Sequence, residues 1–155
     1  MKVIHWTKDK NFQPRPICIK NGYEGDGLPD KPLGGLWCSP ANSKYNWKEW
    51  CKAEGLGDIE QDMEYILDIS EEGMLVIDSE DDLYKLPVTI KHRSMKYINF
   101  RELLRRGYKS IWLTEEGVWN TRLTYPLSLY SWDCETVLIM DESIVTHYEE
   151  ANNET

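Results

Sequence analysis

The sequence predicts an α+β domain with a mostly antiparallel sheet. Three observations carry this expectation. Short apolar runs of strand length recur along the chain, two or three short segments carry helix caps, and no strand–helix–strand alternation links them. With 155 residues, 41% of them hydrophobic, the chain is long enough to bury a real core in one domain. That domain is expected over residues 1–148, and the polar stretch 149–155 is expected to fray.

Val3-Ile4-His5-Trp6 reads as the first strand. Residues 8–33 hold three Gly and four Pro and read as a long, mostly irregular stretch, the kind that serves as a lid, a binding loop or a disordered segment. Gly35-Leu36-Trp37-Cys38-Ser39 is a strand stopped by Pro40. A helix is expected from Ser43 to Glu54, with Trp47, Trp50 and Cys51 on its buried face and Gly55 as its stop. Strands at 65–69 and 74–77 flank a Glu-Glu-Gly turn. Ser79 caps a short helix with acids in its first turn. Asn99 and Glu102 open another, which Gly107 ends. Residues 110–114 form a strand, and Glu115-Glu116-Gly117 is expected to turn into an exposed hairpin or loop bearing Trp119, a candidate for contact with an acceptor. The apolar run Val137-Leu138-Ile139-Met140 and a final strand at 144–146 complete the sheet.

The formal net charge of −9 argues against direct binding to nucleic acid, which needs clustered cations. The one basic cluster, Arg101, Arg105 and Arg106, reads as a solvated helix face. The four cysteines show no metal-like spacing, and no apolar run approaches the roughly 20 residues that span a bilayer. No signal peptide is apparent, so a cytoplasmic protein with reduced thiols and no membrane partner is expected. Seven tryptophans and nine tyrosines against two phenylalanines point to a binding surface without naming its ligand.

Taken singly, the candidate site residues have plain structural readings. His5 reads as an ordinary hydrogen-bonding residue on an edge-like strand, Trp37 as core, and Ser39 as the start of a turn. Asp133 and Glu135, two residues apart before an apolar strand, read as a solvated strand mouth. In an extended chain, however, both carboxylates point to the same side and could face one cleft, with Trp132 on the opposite, structural side.

Their order along the chain resembles the ADP-ribosyltransferase superfamily, among its small bacterial and phage members. The resemblance rests on His5 in the first strand and on the glycine-led Leu36-Trp37-x-Ser39 strand after a long loop. It also rests on Leu103-Leu104-Arg105-Arg106-Gly107-Tyr108-Lys109-Ser110-Ile111, and on Asp133-Cys134-Glu135-Thr136-Val137-Leu138-Ile139 closed by Asp141-Glu142-Ser143-Ile144-Val145. It implies a split sheet, NAD as the substrate that supplies ADP-ribose, and a macromolecular target, expected to be a protein. It implies that His5, with Trp6 and Thr7 beside it, holds a ribose hydroxyl. Trp37 and Ser39 would flank the nicotinamide, Glu135 would be the catalytic glutamate, and Asp133 would orient the acceptor. Family members that begin with His usually carry Tyr on the second strand, and those with Ser there usually begin with Arg. A non-catalytic, acidic binding or inhibitor protein on the same fold is therefore the alternative. A carbohydrate-binding module is a third reading, suggested only by the aromatic count.

Overall fold

The computed structural model describes residues 1–151, and its architecture is α+β. In chain order the elements are β1 (Lys2–Thr7), β2 (Ile19–Lys20), β3 (Leu33–Gly34), β4 (Leu36–Pro40), α1 (Trp47–Ala53), β5 (Met63–Ile69), β6 (Met74–Ile77), β7 (Val88–Lys91) and β8 (Met95–Ile98). They continue with α2 (Phe100–Arg105), β9 (Ser110–Leu113), α3 (Glu115–Thr121), β10 (Thr136–Ile139) and β11 (Val145–Glu150). Short 3-10 helices cover Gly22–Glu24, Ile59–Gln61, Glu80–Lys85 and Glu142–Ile144.

Seven strands form the main sheet in the order β11-β5-β1-β4-β10-β9-β6, and β2-β3 and β7-β8 form separate two-stranded ribbons. Every pair in the main sheet is antiparallel except β6–β9, so the sheet is mixed. One junction differs from the rest. β1 is in register with β5 from Lys2 to Thr7, but with β4 only at Val3↔Pro40 and Ile4↔Ser39. Beyond Ile4 the two strands part.

The pleat sends alternate residues to opposite faces. Val3, Leu36, Leu67, Val137 and Ile139 lie on one face in a continuous apolar layer beneath the parting strands. On the other face the core is divided. A large cluster holds Leu138, Ile111, Phe100, Leu103 and Trp132, and a small one holds Trp6, Cys51 and Ile59.

The long stretch after β1 is fastened to this frame by buried polar groups. Asn21, 1% exposed, accepts from the Phe100 N–H (2.7 Å) and donates to the Asn99 side chain (3.0 Å), which itself caps α2. Asp30 holds the chain before β10. Its carboxylate accepts from the Ser131 N–H (3.0 Å) and hydroxyl (2.6 Å), and its carbonyl accepts from the Trp132 indole N–H (2.7 Å). Such pairing is what buried polar groups require.

Several sequence expectations need correction. α1 starts at Trp47 rather than Ser43, because the Asn46 side chain caps it by accepting from the Glu49 N–H. Residues 115–121 are a helix, not a turn: Thr114 caps it by accepting from the Gly117 N–H. Residues 8–33 are mostly irregular, as expected, and their regular parts are β2, Leu33 of β3 and the 3-10 turn at Gly22–Glu24. Glu149 and Glu150, expected to fray, continue β11 in register with Ile66 and Tyr65, and Ala151 donates its N–H to the Glu64 carbonyl (2.8 Å); the rest of that expectation, for residues 152–155, lies outside the described residues. No helix among the described residues is long and apolar enough to cross a membrane.

Candidate functional site

A cleft of about 480 Å³ opens where β1 and β4 part, on the face where the core is divided. This volume is in the range of small-molecule sites, about 300–1,000 Å³. Its lining includes His5, Trp6, Trp37, Ser39 and Asp133, five of the seven residues singled out from the sequence. Trp47, Trp132 and Lys31 line it as well. Four indoles therefore converge on one cavity, with one carboxylate.

His5 bridges the gap between the strands. Its Nδ1 lies 2.8 Å from the Trp37 carbonyl oxygen, which can only accept, so Nδ1 carries the proton and Nε2 is the bare nitrogen of the neutral ring. Burial lowers the imidazole pKa, and the hydrogen bond to Trp37 and the charge of Asp62 offset this in part. The neutral tautomer is thus the one the site favours, and its free nitrogen is an acceptor for a hydroxyl donor. The ring also packs on Phe12, with centroids 4.7 Å apart.

Trp37 is held edge-on to Trp132, with centroids 5.0 Å apart, and the Lys31 ammonium lies 5.3 Å from its ring centre. The indole face already attracts a cation. Trp6 donates its indole N–H to Glu64 (3.1 Å), which also accepts from Lys48 (2.7 Å). Trp47, expected on a buried helix face, is instead 37% exposed at the cleft wall and stacked on Trp50. Ser39 is 1% exposed, and its hydroxyl accepts from the Trp47 N–H (3.1 Å), so it fixes the start of α1. Thr7 lies outside the cleft and accepts from the Asp9 N–H in a local turn.

The two acids separate. Asp133 lines the cleft. Burial raises its pKa; Lys31 and Arg122 pull it down, and Asp30 and Glu54 push it up. Glu135 is not part of the lining. Its carboxylate accepts from the Trp112 indole N–H (2.9 Å), and its backbone N–H donates to the Tyr45 carbonyl (2.9 Å). The apolar layers show why: Trp112 and Val137 pack on the continuous face of the sheet, opposite Ile111 and Leu138. The expectation that Asp133 and Glu135 point the same way assumed an extended strand. β10 begins only at Thr136, so period-two alternation does not reach back to Asp133. For the same reason Trp132, expected opposite Asp133, lines the same cavity, although its structural role holds at 2% exposure.

Cys38 and Cys134 also line the cleft as thiols: burial pushes the Cys134 pKa up to about 11 and that of Cys38 upward as well. Neither is a thiolate nucleophile near neutral pH. Lys31 and Asp30 carried no sequence signal beyond a Pro-Asp-Lys-Pro loop; what places them is the pairing of Asp30 with Ser131. Among the described residues no His, Cys, Asp and Glu side chains group as a metal site. No protein-family model, curated protein or solved structure matches the chain.

Proposed function

We propose that the chain is an NAD-dependent ADP-ribosyltransferase whose cleft between β1 and β4 receives the nicotinamide riboside end of NAD, with a protein as the acceptor. The observation that carries this reading is the convergence of four indoles, a neutral histidine and one carboxylate at a parting of the sheet. That parting is consistent with the split sheet implied by the resemblance.

The residues fit the chemistry. Nicotinamide in NAD is a flat cation, and an indole face attracts such a ring by roughly 0.5–2 kcal/mol. Breaking its bond to the ribose releases neutral nicotinamide and leaves positive charge on the sugar, the problem glycosidases meet with carboxylates. In this reading Asp133 stabilises that charge, and the bare Nε2 of His5 accepts from a ribose hydroxyl. Trp37 binds the ring before cleavage and loses the cation–π attraction afterwards, so it contributes to binding more than to the chemical step. Glu135, engaged by Trp112, supports the start of β10.

The test is intrinsic fluorescence during NAD titration, followed by nicotinamide release in the presence of cell lysate. Saturable quenching is expected in the wild type and is lost in Trp37→Ala. Release is expected to fall by about two to three orders of magnitude in Asp133→Asn, and less in Glu135→Gln. A flat titration together with no release refutes the reading. The position of Glu135 outside the cleft favours a second reading, a non-catalytic binding protein on the same fold. Quenching without nicotinamide release would select it.

A further inference from the structure

The most exposed apolar side chains gather away from the cleft lining. α3 and the segment after it present Trp119, Leu123 and Tyr125, which are 60%, 84% and 89% exposed. The 3-10 helix at Glu80–Lys85, which packs against α3, adds Tyr84 at 72%. Tyr84 and Tyr125 both line a groove of about 240 Å³ whose other walls include Leu83, Leu86 and Leu127. Scattered exposed apolar residues need no explanation, but Tyr84 and Tyr125 on one groove, with Leu123 two residues before Tyr125, mark an interaction surface, beside which Trp119 stacks on Tyr45. Tyrosine and tryptophan are also the side chains that most often anchor protein interfaces.

The two helix starts on this side are acidic. Glu80 and Asp81 begin the 3-10 helix and Glu115 and Glu116 begin α3. Among the described residues none of the four has a Lys, Arg or His partner within 4 Å. Trp119 follows Glu115 and Glu116 by four and three residues, so the indole and the acids share a helix face. Of the nearby lysines, Lys85 is tied to Asp82, and Lys96 lines the groove. Unpaired acids beside apolar anchors complement a partner with cations beside apolar anchors.

We propose that this surface docks a basic amphipathic segment of another protein. An apolar side chain of that segment seats in the groove between Tyr84 and Tyr125, and its Lys or Arg residues face the acids of the two helix starts. The net charge of −9 disfavours both a second copy of the chain and a nucleic acid as the occupant. The surface does not depend on NAD chemistry, because none of its residues lines the cleft.

The experiment is fluorescence anisotropy of a labelled synthetic Leu/Lys amphipathic helix titrated with the full chain, beside a Leu/Glu counterpart and oligolysine. The Leu/Lys peptide is expected to bind best, and more weakly as salt is raised. Affinity is expected to fall about tenfold or more in Leu123→Ser/Tyr125→Ser, and also in Glu115→Gln/Glu116→Gln. These side chains are exposed, and unchanged urea midpoints would show that the variants fold. No binding, equal binding of the Leu/Glu peptide, or undiminished binding by the variants overturns the proposal. So does self-association in sedimentation that the apolar variant abolishes, since a second copy is then the occupant. Lost peptide binding with intact NAD quenching removes only the docking surface; absent quenching with intact peptide binding removes only the NAD reading.

Discussion

Replacing Asp30 by alanine is expected to destabilise the fold by about 3–6 kcal/mol. The figure follows from two hydrogen bonds to a carboxylate that is 8% exposed, one from the Ser131 N–H and one from its hydroxyl. Hydrogen bonds to charged groups are worth about 1.5–3 kcal/mol each. Asparagine is the informative comparison. Its oxygen can still accept from the Ser131 N–H, and its amide can donate to the hydroxyl oxygen, which turns to accept. Both contacts survive without the charge, so Asp30→Asn is expected to cost about 1–3 kcal/mol, the difference between charged and neutral bonds. Urea unfolding followed by tryptophan fluorescence measures both. Because the bonded segment leads directly into Trp132 and Asp133, NAD titration should weaken in the same order. Alanine within about 0.5 kcal/mol of wild type, or asparagine as costly as alanine, would refute this account of how the chain before β10 is held.

Three further outcomes are expected. The lowered pKa of His5 makes its contribution to stability fully present above the unfolded value, near pH 6.5. It is lost as pH falls toward the lower folded value, because the unfolded state then binds the extra proton. Urea midpoints of wild type and His5→Asn should therefore converge or cross as pH is lowered from neutral to about 5. Leu138→Ala removes a side chain with 0% exposure from the larger core and should cost about 3–5 kcal/mol by the same unfolding assay. Gly34→Ala should cost more than about 1 kcal/mol and weaken NAD quenching. Gly34 has φ +84° and lines the cleft, and an added Cβ would fall 2.1 Å from the Cys18 carbonyl oxygen.

The apolar strands were legible because their side chains are the core: Val137, Leu138 and Ile139 are all buried, and the run alone announces a strand. The cleft was legible in its residue types, with His5, Trp6, Trp37, Ser39 and Asp133 brought together. Glu135 was misplaced because side-chain direction was extrapolated beyond the end of a strand. α3 was missed because Gly117 suggests a turn. The glycine is there for proximity instead: a Cβ would come 2.1 Å from the Ile77 carbonyl oxygen, so only glycine lets α3 approach β6 this closely. The β7–β8 ribbon gave no warning either. Its turn uses His92, Arg93 and Ser94 at positive φ, where Gly, Asn or Asp would have signalled a hairpin.

The parting of β1 from β4 makes the two faces of the sheet mechanically unequal. Beneath it, Val3, Leu36 and Val137 belong to one uninterrupted apolar layer, which acts as the spine of a book. Above it, the larger core and the small cluster around Trp6 are the two covers, while the imidazole of His5, packed on Phe12 of the layer beneath, ties β1 to the Trp37 carbonyl along the spine. Separating β1 from β4 along this line would stretch that bond. A ligand that binds Nε2 leaves this tie in place, because the bond to Trp37 is made by Nδ1.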